Sequence, residues 1–435
     1  MKLRFAPSPT GLLNVGQARI ALANWLLARR HAGTFLLRHD DTQNDRNRPE
    51  YIDSTEHDLR WLGLDWDARI QQSERLEAYT AAADRLKAAG RLYPCFESDD
   101  ELNFKREMRH RQNKSTIYDR AMLKMTAAQR AQAEANGKTP YWRFLLAGSP
   151  AEWGDMILGK QSIKLSAVSD PVVIRADGTP LHTFTSVVDD LEFGITHVVR
   201  GADHITNTGI QLDILAALGA RTHAIRFAHL PELAETKRLP TLRSLRADGI
   251  EPAALTGLLA RLGTHEDPAP EPAILLAARY DLTRIGRDAP RFDPQALLVQ
   301  NRRAMADMPF EAAQDRLPPG ATPAFWHAVR NHLDLMREAR GWWDVVAGSI
   351  VPPLVEDEAV LRHTALALLP PDPWAHDTWP AWTTALTAAT HREQEAIDLP
   401  LRLALTGEDH GPDLLDLLPL IGRSRAAERL KLAAT

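Results

Sequence analysis

Residues 4–17 read RFAPSPTGLLNVGQ, a short apolar start followed by two prolines, two glycines and the beginning of a helix. The prolines end a strand predicted for Lys2 to Phe5 because they lack N–H donors, and Gly11 and Gly16 let a ligand approach the backbone. A helix predicted from Gln17 to about Arg30 would offer unpaired amides to a phosphate or carboxylate. Since proline and glycine also occur in ordinary connections, this stretch alone leaves a nucleotide site and a plain loop both open.

Length and composition narrow the class of protein. A chain of 435 residues with 44% apolar and 25% charged residues is typical of a soluble protein of two to four domains. The single cysteine, Cys95, excludes an intramolecular disulfide framework and a cysteine-based zinc site, and it fits a reducing compartment. Without an apolar run long enough for a bilayer or a signal peptide, the chain is expected in the cytoplasm.

The net charge of −5 argues against a protein that coats nucleic acid over its whole surface, but it leaves a local basic face open. One basic run, residues 105–114, reads KREMRHRQNK inside a predicted helix. Such a run is also compatible with an ordinary solvated helix face.

Strand and helix signals alternate over residues 1–92, which predicts a parallel sheet with crossover helices. The predicted elements are a strand at Thr34 to Arg38, a helix at Pro49 to Leu62 and a helix at Ser73 to Ala89 with Ser73 as its N-cap. Residues 93–166 change in texture and are interpreted as an insertion, with a helix at Thr126 to Asn136 and β segments at Tyr141 to Phe144 and Ile163 to Val168.

Apolar runs typical of buried strands reappear from about residue 167. They cover Asp170 to Arg175, Phe184 to Val188, Ile195 to Arg200 and Ile225 to Ala228, with a helix before Gly219. Residues 201–204, which include the polar Asp203 and His204, follow the third of these segments, where ligands bind in open α/β sheets. A basic loop occupies residues 232–243, and nearly everything from about residue 291 is predicted to be helical.

Several motifs together resemble the bacterial glutamyl-tRNA synthetases, in the form that alphaproteobacterial members carry. They are RFAPSPTG at 4–11, LRHDDT at 37–42, WLGLDW at 61–66, VVDD at 187–190, RG at 200–201, and the segments 399–407 and 410–412 near the carboxyl terminus. The resemblance implies an α/β Rossmann-type class I catalytic domain with an inserted α+β acceptor-binding subdomain and an all-α C-terminal anticodon-binding domain.

The domain boundaries expected from this resemblance are as follows. Residues 1–92 and 167–230 form the two halves of the catalytic domain, and residues 93–166 the inserted acceptor-stem-binding subdomain. Residues 231–290 carry the signature loop and a helical stem-contact domain, and residues 291–435 the all-helical anticodon-binding domain.

The reaction that the resemblance implies has two steps. Glutamate attacks the α-phosphate of ATP, bound with Mg²⁺, to give glutamyl-adenylate, and the terminal ribose hydroxyl of tRNA, expected to be tRNA-Glu, then takes the glutamyl group. Positioning and charge stabilisation drive such chemistry. A cytoplasmic monomer without zinc and without a membrane partner is expected.

The matching family motifs imply which residues of this chain form a glutamate pocket. Arg4 and Arg200 match positions that hold the side-chain carboxylate, a use that suits planar guanidinium donors. Ser8 and Asp40 match positions that hold the α-ammonium group. The same pocket is expected to include Ala6 and His182.

The resemblance implies that two sequence signatures bind ATP. The family's His-x-Gly-His-like tetrad corresponds to residues 14–17, in which Asn14, Gly16 and Gln17 are ATP-binding. A Lys-x-Ser-Lys-like loop contributes Thr236, Lys237 and Arg238. The residues expected to act in catalysis are Lys237, Asn14 and Gly16, and those expected to bind tRNA are Lys105, Arg109, Arg111 and Arg402.

The chain departs from the family pattern mainly around ATP. Asn14 replaces the first histidine of the tetrad and cannot carry charge, and the signature loop is shorter and has gained Pro240. Further departures are Gln43, His182, Ala202 and the segment 391–396. Two hypotheses stay open: a divergent synthetase with weakened or altered activity, and a catalytically inactive or repurposed paralogue that binds glutamate, adenylate or tRNA.

Overall fold

The computed structural model describes residues 1–42, 46–221, 224–234, 239–353 and 358–432. The chain divides into two compact units. The first consists of Met1–Ser244 and Thr256–Phe292, and the second of Leu245–Leu255 and Asp293–Thr435. The division into five segments predicted from the sequence is finer than this and stays a prediction.

All strands within the described ranges belong to the first unit. They are β1 (Lys2–Phe5), β2 (Thr34–His39), β3 (Ala68–Gln71), β4 (Leu92–Cys95), β5 (Tyr141–Phe144), β6 (Ala151–Asp155), β7 (Gly159–Ile163), β8 (Val172–Ile174), β9 (His197–Gly201) and β10 (Arg226–Leu230).

The α-helices cover both units. They are α1 (Val15–Arg30), α2 (Pro49–Trp61), α3 (Leu76–Ala88), α4 (Asp99–Arg111), α5 (Ala127–Ala135), α6 (His182–Glu192), α7 (Ile205–Ala217), α8 (Leu242–Asp248), α9 (Pro252–Arg261), α10 (Ala273–Ala277), α11 (Pro294–Ala306), α12 (Phe310–Ala313), α13 (Pro323–Val329), α14 (Ala339–Ala347), α15 (Ala359–Ala367), α16 (Thr378–Thr390), α17 (Glu395–Thr406) and α18 (Leu414–Leu432), the last interrupted at Gly422.

Two sheets carry the α/β part of the fold. One has the order β1-β2-β3 with parallel pairing throughout, and the other has the order β7-β6-β10-β9, in which β6, β10 and β9 pair in parallel and β7 is antiparallel. Thr196, just before β9, donates its N–H to the Lys2 carbonyl (2.9 Å) and so joins the sheets. The predicted parallel sheet with crossover helices is confirmed in this form.

A third sheet, β4-β5-β8, is antiparallel. Strands β6 and β7 lie between β5 and β8 in sequence, yet they join β10 through the pair Phe227–Asp155. The predicted insertion, residues 93–166, therefore contributes strands to two different sheets.

Three local predictions were wrong. Phe184 to Val188 lie in helix α6, because apolar residues at 184, 187 and 188 share one helical face instead of alternating. Residues 163–168 are not a strand, since β7 ends at Ile163 and a 3₁₀ turn covers Leu165–Ala167. Ser73 does not cap α3, because its N–H and hydroxyl both donate to the Asp41 carboxylate, each at 2.7 Å.

A buried network of charges joins β1, β2 and α6. Arg38, only 1% exposed, donates from Nε and Nη2 to Asp40 (2.6 and 3.2 Å) and from Nη1 to Asp190 (3.0 Å). Arg4 donates from Nε and Nη2 to the same Asp190 (3.1 and 3.3 Å). Because neither charge type is left unpaired here, the network fixes the strands relative to α6 in a dry interior.

The second unit is helical throughout its described residues. Its core is rich in tryptophan: Trp326 and Trp382 are each 1% exposed and pack with Phe325, Leu361 and Leu417. Helix α18 contacts α13, α14, α15, α16 and α17. No helix within the described ranges is both long and apolar enough to cross a bilayer.

Replacing Arg38 with methionine is expected to lower the free energy of local unfolding of the first unit by about 3–5 kcal/mol, because it leaves buried carboxylates without their cation. Hydrogen exchange of β1 and β2 peptides measures this loss. Arg284, whose side chain is 61% exposed and pairs with Glu266, is the control: Arg284→Met should change the value by under about 0.5 kcal/mol. Equal small losses in both variants would contradict a stabilising network.

Stability should also depend on the ionisation of Asp40. Burial alone would raise the pKa of this carboxyl, but Arg38 and His182 outweigh it and lower the pKa to about 2. Since the folded pKa is the lower one, the contribution is complete above an unfolded pKa of about 4 and is lost as the pH falls towards 2, amounting to about 2 kcal/mol. Urea denaturation at pH 5, 4 and 3 checks this: Asp40→Asn should flatten the dependence, and an unchanged slope would refute the assignment.

Candidate active site

A cavity of about 440 Å³ opens where β1 and β9 end, at the carboxyl edge of both strands. Open α/β folds bind ligands at this edge. Its walls are formed by Arg4, Phe5, Ala6, Pro7, Ser8, Thr10, Gln17, Ile20, His182, Val199, Arg200, Gly201, Asp203 and His204. Six predicted site residues, namely Arg4, Ala6, Ser8, Gln17, His182 and Arg200, thus line one space.

The two cavity arginines differ in their counter-charges. Arg4 is bound to Asp190 through Nε and Nη2. Arg200 is 6% exposed and has no carboxylate within ion-pair distance among the described residues. Its Nη2 donates to the Thr208 hydroxyl, and its Nε lies 3.5 Å from His229 Nε2.

Burial, followed by the positive charge of Arg4, lowers the pKa of Arg200 to about 9. A buried cation without a counter-ion is costly, and an anion bound beside it would relieve that cost. The Arg200 side of the cavity is therefore built to receive a negative group.

His182, at the start of α6, lines the same cavity and forms hydrogen bonds to other side chains through one of its ring nitrogens. Its Nδ1 faces Asp40 Oδ2 (2.9 Å) and Ser186 Oγ (3.1 Å). Among the described residues no hydrogen bond engages its Nε2, which leaves that atom for a ligand. Asp40 itself does not line the cavity, because Arg38 and His182 occupy its carboxylate; the structure thus places it behind His182.

His204 and Asp203 line the same cavity beyond β9. Burial and the Arg200 charge lower the pKa of His204 to about 4, so this imidazole is neutral near pH 7. Asp203 is exposed. The charge of the buried wall therefore comes from the arginines.

Asn14 and Gln17 form the start of α1. The Asn14 side-chain oxygen accepts from Gln17 N–H (3.0 Å), and the Gln17 side-chain oxygen accepts from Asn14 N–H (3.1 Å), a capping box. A Cβ on Gly16 would lie 3.2 Å from the Asn14 amide oxygen and 3.4 Å from Leu239 Cδ1, so glycine suits this position. Asn14 keeps its amide NH₂ available as a donor.

Four residues named from the sequence, Gln43, Thr236, Lys237 and Arg238, lie outside the described residues. The chain immediately after the last of them can be placed: Pro240 accepts at its carbonyl from Val15 N–H (3.1 Å), and Leu242 N–H donates to the Leu13 carbonyl (2.8 Å). The signature segment therefore leads directly into a contact with the beginning of α1.

The predicted tRNA-binding residues are partly paired. Lys105 pairs with Glu97, Arg109 donates to the Ser115 carbonyl (2.6 Å), and Arg111 is 74% exposed at 3.7 Å from Glu107. They lie on or at the end of α4. Arg402, in the second unit, donates from Nη2 to the Pro412 carbonyl (2.7 Å) and is half-buried.

The sequence did not predict the residues that lie behind the cavity walls. They are Arg38, which binds Asp40 and Asp190, and a set of three polar residues in mutual contact, Asp155, Thr208 and His229. A charge inside the apolar strand β2 is a visible signal for Arg38. For the other set, no local pattern brings together residues from β6, α7 and β10. Within the described ranges, no group of three or more His, Cys, Asp or Glu side chains could hold a metal ion.

Comparisons with known proteins find relatives for both the amino-terminal and the carboxyl-terminal part of the chain. Residues 1–269 match the family model of class I tRNA synthetases (E and Q), catalytic domain, and residues 355–434 match an anticodon binding domain. Glutamate–tRNA ligase 2 of Gluconacetobacter diazotrophicus is 57% identical over 100% of both chains. The protein of the same name from Granulibacter bethesdensis is 56% identical over 99% of this chain and 98% of that one.

The fold also matches a crystal structure of a glutamate tRNA ligase from Elizabethkingia meningosepticum in complex with its amino acid. The TM-score is 0.88 at 21% identity, with 100% of this chain and 99% of that chain covered. This likeness shows the fold, and the sequence matches show the family. The chain belongs to the glutamate–tRNA ligases, a family of class I aminoacyl-tRNA synthetases.

Proposed function

We propose that this chain activates glutamate with ATP and transfers it to a tRNA, with the cavity at the ends of β1 and β9 as its glutamate and adenylate site. The observation that carries the proposal is Arg200, a buried guanidinium without a carboxylate partner in the described part of the chain. The side-chain carboxylate of glutamate supplies the missing charge, and Arg4 lies in the same wall.

The two ends of the substrate then meet different groups. Arg4 and Arg200 bind the side-chain carboxylate, and a guanidinium fork favours that planar anion over the amide of glutamine, whose NH₂ would face other donors. Ser8 and the free Nε2 of His182 are available to the α-amino end, with Asp40 acting through the His182 ring. Ala6 leaves room between them.

ATP lies on the other side, at the start of α1. The positive end of the α1 dipole, the backbone at Gly16 and the side chains of Asn14 and Gln17 suit the phosphates. The amides of Val15 and Gln17 already donate to the Pro240 carbonyl and to the Asn14 side chain. The family resemblance assigns Thr236, Lys237 and Arg238, which lie outside the described residues, to the triphosphate. Among the described residues that follow them, Pro240 accepts from Val15 N–H at the start of α1. Mg²⁺ arrives with ATP and offsets the charge of the phosphates.

With glutamate held in this way, its α-carboxylate attacks the α-phosphorus and pyrophosphate leaves. The terminal ribose hydroxyl of tRNA then attacks the carbonyl carbon of the adenylate, and AMP leaves. The protein positions the reactants and stabilises charge in both steps. Lys105, Arg109, Arg111 and Arg402 are assigned to the tRNA, expected to be tRNA-Glu, and the enzyme is expected to act as a cytoplasmic monomer.

The alternative of an inactive or repurposed paralogue rests on the altered ATP signatures. Relatives at 57% and 56% identity carry the ligase name over essentially their full length, which favours the catalytic hypothesis. Asn14 also retains a capping role at α1, so its replacement of histidine leaves the start of the helix in place.

Glutamate-dependent ATP–pyrophosphate exchange, measured with and without total tRNA and followed by glutamyl-tRNA formation, tests the proposal. Exchange should saturate with glutamate and not with glutamine. Arg200→Lys keeps the charge but loses the fork and should raise the KM for glutamate by about 10- to 100-fold. Arg284→Met, outside the cavity, serves as the control with unchanged KM. A folded protein that gives neither exchange nor glutamyl-tRNA would favour the inactive paralogue.

The role of Asn14 at ATP can be separated from its role as a cap. Asn14→Asp keeps the capping oxygen, so the melting temperature should hold, but it replaces the amide donor with a negative oxygen facing phosphates. The KM for ATP should rise about tenfold while the KM for glutamate stays within about twofold. The same exchange assay, with each substrate varied in turn, measures both constants. An unchanged KM for ATP would remove Asn14 from the phosphate site.

A further inference from the structure

Four buried side chains form a continuous series behind Arg200. Asp155 Oδ2 lies 2.5 Å from His229 Nδ1, His229 Nε2 lies 2.8 Å from Thr208 Oγ1, and Thr208 Oγ1 accepts from Arg200 Nη2. The Asp155 and His229 side chains are fully buried, and Thr208 is also 0% exposed. Arg200 lines the cavity, whereas the other three do not.

The positions of the hydrogens follow from Asp155. Its Oδ1 accepts backbone N–H groups from Ile157 (3.0 Å), Leu158 (2.9 Å) and His229 (3.2 Å). Burial alone would raise the pKa of Asp155, but the bonds from His229 and these amides outweigh it and lower the pKa. Asp155 is therefore a carboxylate, an acceptor only, and His229 Nδ1 must be the donor to it.

The rest of the series follows in one direction. Arg200 Nε–H is directed at His229 Nε2, so this nitrogen is an acceptor, and the Thr208 hydroxyl, which also lies 3.2 Å from the His204 carbonyl, can donate to it. The Thr208 oxygen is then left to accept the N–H of Arg200 Nη2. The Nε of Arg200, at 3.5 Å, points at the same Nε2.

Neutral acceptors orient a guanidinium without cancelling its charge. A carboxylate in contact with Arg200 would fix its position equally well but would also compete with an anionic ligand. The His229 imidazole and the Thr208 hydroxyl separate Asp155 from Arg200. The charge of Asp155 therefore orients the hydrogen bonds of the series, and Arg200 still presents a full positive charge to the cavity.

We propose that Asp155, His229 and Thr208 form a positioning relay that fixes Arg200 for the side-chain carboxylate of the amino-acid substrate and thereby sets the preference for an acid over its amide. The inference rests on the proposed function, because it needs a carboxylate at Arg200. None of the three relay residues touches the substrate, so each is a positioning residue.

Thr208→Val tests the relay, since it replaces the hydroxyl with a methyl group of similar shape. It should raise the KM for glutamate about tenfold and lower the glutamate-over-glutamine preference, because a buried Arg200 donor loses its acceptor. The KM for ATP should stay within about twofold. Thr208→Ser, which keeps the hydroxyl, should restore the KM for glutamate.

Thr256→Val is the matched control. Thr256 is equally buried, lies outside the cavity walls and donates its hydroxyl to the Glu271 carbonyl (2.6 Å). It should leave both KM values unchanged. A second variant, His229→Ala, removes the centre of the relay and should raise the KM for glutamate more than Thr208→Val does.

Calorimetric binding of glutamate distinguishes failure of the relay from failure of the proposed function. Glutamate binding without pyrophosphate exchange would refute the proposed catalytic activity. The relay would then be judged from the dissociation constants of glutamate for the same variants. Wild-type affinity in both Thr208→Val and His229→Ala would overturn the relay. An equal rise in the KM for ATP and for glutamate, with a lowered melting temperature, would show a purely structural role and would overturn it too.

Discussion

The guanidinium groups of Arg4, Arg38 and Arg200 lie buried at one end of the first unit. Within the described residues, only the first two are paired with carboxylates. Arg38 binds Asp40 and Asp190, and Arg4 shares Asp190, whereas Arg200 is held by neutral acceptors. Buried charges are tolerated only when paired or hydrogen-bonded. The site depends on this uneven distribution, because it keeps the first two arginines in place and leaves the third for an anion.

The start of α1 serves the fold and the proposed ATP site with the same atoms. The capping box between Asn14 and Gln17 satisfies amides that would otherwise be open, and Gly16 gives the Asn14 oxygen the room to reach across. A histidine at position 14 would offer a charge to phosphates, and an asparagine offers a better cap. Asn14 therefore provides the cap of α1 without the charge that a histidine would offer at this position.

Much of the first unit could be predicted from its sequence, because the signals are local. The strand at Lys2–Phe5 and the helix that follows are marked by adjacent prolines and glycines, and strand β9 by a run of apolar residues. Residues 184–188 alone predict a strand, but the apolar residues at 184, 187 and 188 follow helical spacing and lie in α6. The relay could not be predicted, since Asp155 meets His229 only through the pairing of β6 with β10, 74 residues apart.

Two of the departures expected from the family pattern, Asn14 and His182, lie where the fold can accept a change. Arg4 and Asp40 are buried and paired with opposite charges, so replacing either would take a partner from a buried charge. Arg200 is held by the neutral acceptors Thr208 and His229. Asn14 and His182 are only partly buried, and each forms local bonds that other polar residues can also make. Arg4 and Asp40 are thus tied to the stability of the first unit through ion pairs, whereas Asn14 and His182 contribute local hydrogen bonds. A change at Asn14 or His182 is therefore expected to alter local hydrogen bonds and to leave the buried ion pairs of Arg4 with Asp190 and of Asp40 with Arg38 in place.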